Sequence, residues 1–255
     1  MKQSKAKNIY VYDNLSNLDR IVLCFAEFLG TAMLVFLGCM GCVYASPIPA
    51  FQIAFTFGLA VMVAVQCFGH ISGCHINPAV TLASVILGHT PVLHIPLYFL
   101  GQFLGAVGGF GLLKALSANG SFVGSSSCSP VLSPDTDIME GIGVEFVLTF
   151  VLVMVCASLW DCRNASKDDS AAIKLGLTIV VLAVVGFSYT GAHLNPARSF
   201  GPSLLNGHWD NWFVWWVGPL LGGVAAAVVY RFVFSKEYDV IEHTPSEVLR
   251  LNEKA

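Results

Sequence analysis

Charge is what this chain has least of: Asp, Glu, Lys and Arg make up 11% of its 255 residues, against about a quarter in an average soluble domain. With 55% of residues hydrophobic, that shortage excludes an ordinary water-facing surface and places the chain in a lipid bilayer. Basic runs are missing too, so neither nucleic acid nor a polybasic lipid anchor is expected, and a net charge of -3 says little about partners. A cleavable signal is not expected either. Residues 1–19 are polar, and the first apolar run is too long and continuous for a short signal core, so the amino-terminal tail is expected to stay on the protein. No disulfide framework is implied by the cysteines. Cys24, Cys39, Cys42, Cys67 and Cys156 lie in or at the ends of apolar runs, Cys162 is expected to face the cytoplasm, and Cys128 is alone in the one long loop on the other side.

What the chain does have is long apolar stretches. A transmembrane helix needs about 20 mostly apolar residues to cross a hydrocarbon core of about 30 Å. Six runs meet that standard: 21–44, 49–69, 93–113, 139–160, 172–189 and 211–234. Lys and Arg are enriched in short cytoplasmic loops. Of the 13 basic residues, all but Lys114 and Arg198 fall on one side if both tails are cytoplasmic. Lys114, at the end of the third run, is expected to snorkel to the interface and needs no functional reading. Arg198 at membrane depth does, with a buried ion pair as the purely structural alternative.

The chain also repeats itself. Ala26-Glu27-Phe28-Leu29-Gly30-Thr31 lies over Val144-Glu145-Phe146-Val147-Leu148-Thr149 at an offset of 118 residues. Gly73-Cys74-His75-Ile76-Asn77-Pro78-Ala79 lies over Gly191-Ala192-His193-Leu194-Asn195-Pro196-Ala197 at the same offset, and Gly101 to Gly109 over Gly218 to Ala226 at 117. Three spans per copy is an odd number, so the second copy enters the membrane from the opposite side. Inverted repeats of this kind place the functional site near the midplane, often where interrupted helices point their amino-terminal ends inward.

The interruption is readable. Residues 77–87 are too short to cross and too apolar for an ordinary loop. Asn77 is a good N-cap, Pro78 suits the first helical turn, and Gly88 suits the residue after the end. The second copy repeats the pattern over 195–206 with Asn195, Pro196 and Gly207, although Pro202 is expected to bend or shorten it. A helix of this length covers about 17 Å, roughly half the hydrocarbon thickness. Two such stubs meeting end to end would bring Asn77 and Asn195 together at the centre. Irregular backbone at that depth is tolerated where it lines a wet cavity. The positive helix ends would then repel cations, and the two amides would hold a passing oxygen and interrupt a proton wire.

Paired Asn-Pro-Ala boxes in an inverted six-span repeat, with Arg198 directly after the second box, resemble the aquaporins, also called major intrinsic proteins, over about residues 20–235. The resemblance implies an all-α membrane protein with six transmembrane helices and two re-entrant half-helices in a 3+3 repeat. In domain terms it divides into a cytoplasmic tail (1–19), a first repeat (20–116), an extracellular connecting loop (117–138), a second repeat (139–235) and a second cytoplasmic tail (236–255). It also implies a homotetramer in the cell membrane with one pore per subunit. It implies no catalysis, no cofactor and no metal.

The same resemblance assigns a selectivity ring to Phe57, Ala183, Ala192 and Arg198, since family filter positions lie 20 residues before the first box Asn and 12 and three before the second. Strictly water-selective members resemble one another in carrying His where this chain has Ala183. Without that ring, Phe57, Ala183 and Ala192 are expected to form an apolar wall facing the donors of Arg198, an amphipathic opening suited to glycerol, with urea and water also passing. The chain departs from bacterial-type glycerol facilitators in having Ser199 rather than Asp after the filter Arg. Its Trp215-Trp216 pair is similar to the water-channel branch, and a water-type scaffold lacking the filter His resembles the insect entomoglyceroporins. A strictly water-selective pore that tolerates Ala183 stays open as the alternative.

Glu27 and Glu145 sit at equivalent places inside spans, where a carboxylate is functional by default. In the family their counterparts accept hydrogen bonds from the re-entrant loops, so loop bracing is expected rather than a proton path. His75 and His193 precede the boxes by two residues and have no ligand partner at helical spacing. They either face the pore mouth or brace the loop, and pH gating at His75 is a further option. The mercury-reactive Cys of many water channels corresponds to Ala192, while Cys74 holds the equivalent place in the first copy. Of three glycosylation sequons, Asn14 and Asn164 are expected in the cytoplasm and Asn119 outside. A proton-coupled transporter is disfavoured because its path would need a titratable group beyond Glu27 and Glu145. A junctional protein is disfavoured because Arg198 is kept.

Overall fold

The computed structural model describes residues 15–43, 49–117 and 127–235. Most of both tails, with Asn14, and the part of the connecting loop that carries Asn119 lie outside those residues, so the sequon readings there have no structural counterpart.

The elements follow from local chemistry. Helix α1 (Asn17–Met40) starts four residues before its apolar run because Ser16 and Asp19 form a reciprocal capping box, Asp19 N donating to Ser16 Oγ at 3.2 Å and Ser16 N to Asp19 Oδ2 at 3.0 Å. It is followed by α2 (Ala50–Ser72), the short α3 (Pro78–Leu87), α4 (Ile95–Leu116), α5 (Ile138–Trp160), α6 (Ala171–Thr190), the short α7 (Pro196–Asn206) and α8 (Val214–Val229), which runs on through a π-helical turn to Phe234. Six of these segments are long and apolar enough to cross a bilayer. Among the described residues there is no strand.

Packing obeys the duplication. Helix α1 rests on α2 and α4, and in the second copy α5 rests on α6 and α8. Across the halves α2 packs on α6, α3 on α8 and α7 on α4, so each short helix is held mainly by the opposite copy's last span. The close helix pairs depend on glycine. A Cβ at Gly105 would lie 2.3 Å from the Phe28 carbonyl oxygen, and one at Gly222 would lie 2.2 Å from that of Phe146. The backbones of α1 and α4, and of α5 and α8, therefore touch directly, the small-residue contact expected of helices packed in lipid. Large apolar side chains such as Phe25, Leu93, Met139 and Phe232 remain exposed around the outside, where a bilayer would cover them.

Both half-helices form as their caps dictate. Asn77 Oδ1 accepts from Ala79 N at 2.9 Å, Pro78 occupies the first turn, and Gly88 ends the helix in the left-handed region at φ 83°. Asn195 accepts from Ala197 N at 2.9 Å and Arg198 N at 3.2 Å, and Gly207 ends α7 at φ 69°. Pro202 does not shorten α7, which continues through Asn206.

One sequence expectation is extended and one is corrected. Lys114 does not simply snorkel: its Nζ donates to the Leu205 carbonyl at 2.9 Å and lies 3.3 Å from Asn206 Oδ1, at the carboxyl end of α7. Cys39 and Cys128 are not unpaired. They form a disulfide across 89 residues with Cα atoms 5.5 Å apart, because the fold returns the connecting loop over the end of α1.

Candidate pore and its selectivity ring

The chain between α2 and α3 and its repeat between α6 and α7 are irregular backbone in the middle of the protein. Each contains non-glycine residues in the left-handed region: Cys74 (φ 47°) and Ile76 (φ 46°), then Ala192 (φ 52°) and Leu194 (φ 55°). Such conformations cost on the order of 1–3 kcal/mol each and persist when surrounding contacts over-determine them.

Glu27 and Glu145 are those contacts. The carboxylate of Glu27 accepts from His75 N at 2.9 Å, Ile76 N at 2.7 Å, Ser72 Oγ at 2.7 Å and Gln102 Nε2 at 2.8 Å. Glu145 accepts from His193 N at 2.9 Å, Leu194 N at 2.7 Å and Thr190 Oγ1 at 2.7 Å. Both are fully buried. A buried carboxylate is tolerated where hydrogen bonds replace its water, and here the same bonds satisfy amides that no regular ladder serves. Neither Glu lines the central cavity.

The histidines hold side-chain positions beside these loops. His75 Nδ1 lies 3.2 Å from Thr81 Oγ1 and its ring stacks on Tyr98 at 4.5 Å. His193 Nδ1 lies 2.8 Å from Ser199 Oγ, with Trp215 at 5.8 Å. Tyr98 and Trp215, themselves equivalent in the repeat, donate to the last carbonyls of the preceding spans: Tyr98 Oη to Ser72 O at 2.6 Å and Trp215 Nε1 to Thr190 O at 3.0 Å. Sequence reading missed this pair. The 117-residue offset would have aligned them, but the shared task of two different aromatic side chains is visible only in space.

The paired asparagines meet across the pseudo-two-fold axis. Asn77 Nδ2 donates to the Leu194 carbonyl at 2.9 Å, and Asn195 Nδ2 donates to the Ile76 carbonyl at 2.7 Å. Each amide thus spends one N–H on locking the opposite loop and has a second to offer. Both line one continuous cavity, which also reaches Cys74, His75 and Trp160 on one side of the pair and the predicted ring on the other.

All four ring residues, Phe57, Ala183, Ala192 and Arg198, line that cavity and are mostly buried. The arrangement differs from the expected one in a specific way. The Arg198 guanidinium lies 4.3 Å over the Phe57 ring, a contact that leaves no space for a solute between them. Phe57 therefore shares a wall with Arg198 and does not face it, leaving Ala183 and Ala192 to line the rest of the opening. Gly38 makes this possible, since a Cβ there would fall 2.3 Å from the Phe57 ring.

No carboxylate pairs with Arg198 among the described residues. Its Nη1 donates to the Cys128 carbonyl at 2.9 Å and lies 2.9 Å from His193 Nδ1. These restraints hold a buried cation beside the passage, where it has donors to spare. Among the described residues no group of three or more His, Cys, Asp or Glu could hold a metal ion.

Comparison with known proteins agrees with this geometry. Residues 14–230 match the major intrinsic protein family. The chain is 37% identical to aquaporin-4 of Mus musculus over 221 residues, covering 84% of this chain and 68% of that one. It is also 37% identical to aquaporin-4 of Bos taurus over 194 residues, 76% of this chain and 59% of the relative. The X-ray structure of the aquaglyceroporin from Plasmodium falciparum superposes with a TM-score of 0.77 at 24% identity, covering 84% of this chain and 96% of that one. The chain is a multi-pass membrane protein and belongs to the major intrinsic protein family, the membrane channels that include the aquaporins.

Proposed function

We propose that this chain is a passive channel for water and small uncharged solutes, glycerol and urea among them, that excludes protons and ions. The observation that carries the reading is the cavity running past Asn77 and Asn195 to a ring in which Ala183 and Ala192 stand beside the buried Arg198. Two methyl groups leave room where an imidazole would intrude, and they give a carbon backbone an apolar surface while Arg198 offers donors to hydroxyl oxygens. The positive amino-terminal ends of α3 and α7 and the guanidinium all repel cations on the path. The paired amides orient a central water and break the proton chain.

The sidedness belongs to the same proposal: a cell-membrane protein with both tails cytoplasmic and the Arg198 mouth outside. The Cys39–Cys128 disulfide lies at that mouth, which suits an oxidising compartment. A homotetramer, with a pore in each subunit, follows from the family resemblance.

Purified protein in liposomes tests the reading. Vesicles mixed rapidly with hyperosmotic glycerol are expected to shrink and then re-swell, with rates insensitive to a proton gradient. The contact between Phe57 and Arg198 favours a second reading, a strictly water-selective pore, because it narrows the ring from one side. Shrinkage with no re-swelling beyond that of empty vesicles would establish that alternative.

A further inference from the structure

The connecting loop does more than cross the outer mouth. At residue 128 it reaches Arg198 of the ring, and it is bonded there. The Cys128 carbonyl accepts from Arg198 Nη1 at 2.9 Å, and Cys128 Sγ lies 3.6 Å from Arg198 Nη2. The same sulfur is bonded to Cys39 at the end of α1. One residue therefore carries both the covalent tether and the acceptor that holds the filter cation.

We propose that the Cys39–Cys128 disulfide is a redox-sensitive positioning clamp on the filter, and that its reduction by a thiol changes which solutes pass. The inference rests on the channel reading above for its readout.

Three observations support it. Cys128 sits at φ 61°, a left-handed conformation that a residue with a Cβ disfavours. While the sulfur is tethered to Cys39 the residue is held there. Once freed it relaxes toward negative φ, turning the peptide plane and taking its carbonyl away from Arg198. Second, the loop is pinned independently on either side of Cys128. Asn206 Nδ2 donates to Ser127 O at 3.1 Å and lies 3.0 Å from Ser129 Oγ, and Ser133 N donates to Tyr189 O at 2.9 Å. Opening the bond therefore turns one peptide without releasing the whole loop. Third, Cys39 is fully buried whereas Cys128 is half-buried, so of the two residues Cys128 is the more open to a thiol from the outer side.

The chemistry balances with a dithiol as reductant. Its thiolate attacks Cys128 Sγ, the Cys39–Cys128 bond breaks, and Cys39 leaves as a thiol after taking a proton. The second thiol of the reductant then displaces Cys128. Two electrons and two protons end on the two cysteines, and the reductant ends as its own disulfide.

Without the Cys128 carbonyl, Arg198 keeps His193 and the Phe57 face, and the N–H released from that carbonyl must find water. The guanidinium then tilts into the aqueous opening, which obstructs a three-carbon solute more than water. The glycerol-to-water permeability ratio is expected to fall by between about twofold and tenfold, the range over which losing the net contribution of one ordinary hydrogen bond shifts a population.

The experiment takes the full chain in liposomes through a cycle of oxidised, dithiothreitol-reduced and re-oxidised states. Mass spectrometry of alkylated thiols reports the state of Cys39 and Cys128, and circular dichroism reports the fold. A fall in the ratio on reduction that reverses on re-oxidation, at constant helical signal, supports the clamp. So does a Cys39→Ser/Cys128→Ser channel that has the reduced ratio throughout and ignores dithiothreitol. Losing a merely structural bond would lower the melting temperature and leave the ratio alone. An unchanged or raised ratio at complete reduction overturns the proposal, and if the double variant fails to fold, the wild-type cycle decides alone. If oxidised protein passes no glycerol, the solute reading has failed, and the clamp is judged by whether water permeability falls and recovers through the same cycle.

Discussion

Lys114 and Arg231 occupy equivalent places in the two copies, and each carries its cation to the carboxyl end of the other copy's half-helix. Lys114 Nζ donates to the Leu205 carbonyl at 2.9 Å, and Arg231 Nη1 donates to the Ile86 carbonyl. The half-helices thus present positive ends to the centre and have their negative ends neutralised at the two mouths. Lys114→Met and Arg231→Met are each expected to destabilise the protein by about 0.3–1 kcal/mol. The two act at opposite ends of the molecule, so their effects should add. Thermal unfolding in detergent checks this, and a double variant as stable as the wild type would remove the cations from the account.

The two buried carboxylates lend themselves to a charge-neutral test. Gln has the shape of Glu, but its NH2 must point at one of the backbone N–H groups that now find a carboxylate oxygen. Glu27→Gln and Glu145→Gln are each expected to cost on the order of 3 kcal/mol, because donor meets donor in a buried place. Glu27→Gln should be the worse of the two, since Glu27 holds four donors and Glu145 three. The yield of monodisperse protein and its melting temperature give the ranking.

In the proposed channel Ala183 sets the free width of the ring, so Ala183→His should abolish glycerol re-swelling while leaving water flux within about twofold of wild type. The imidazole takes the space of the solute's carbon chain and adds a polar group. Stopped-flow light scattering reads both rates from one preparation, and unchanged glycerol flux would mean that the ring does not select.

Cys74 lines the cavity on the opposite side of the asparagines from Arg198, and it is not disulfide-bonded. A small mercurial is expected to block water flux through it, and Cys74→Ser should abolish most of that block. Persistent inhibition of the variant would place the reactive thiol elsewhere, with Cys42 near Arg198 the next candidate.

Outside the spans, Asp161 ties α5 to the end of α8. Its carboxylate takes hydrogen bonds from Arg163, which with lesser help from Tyr230 holds its pKa down at about 2. A carboxylate with a depressed folded pKa contributes stability that is present above the ordinary value near 3.8 and is lost as pH falls through the folded one. Stability should therefore fall between about pH 4 and pH 2 in wild type, with a smaller fall in Asp161→Asn. Unfolding midpoints measured across that interval supply the comparison.

Much of this was legible in one dimension because the chain says things twice. The caps Asn77 and Asn195, the prolines after them and the closing Gly88 and Gly207 place both half-helices to within a residue. Glu27 and Glu145 announce themselves as carboxylates at matching depth. The start of α1 was misjudged because the apolar run was followed where the Ser16 and Asp19 capping box governs. Phe57 was assigned to the ring by position, but its contact with Arg198 needs Gly38, a residue with no signal of its own until the ring is seen filling its space.

Composition, periodicity and the duplicated boxes by themselves determined six spans, the inverted repeat and the two capped half-helices, because hydrophobic length and local capping act over neighbouring residues. The tertiary structure alone decided the Cys39–Cys128 bond, the shared wall of Phe57 and Arg198, and the cations at the half-helix ends. Those depend on which side chains from segments some 70–150 residues apart arrive at one point, and no local preference encodes such an arrival.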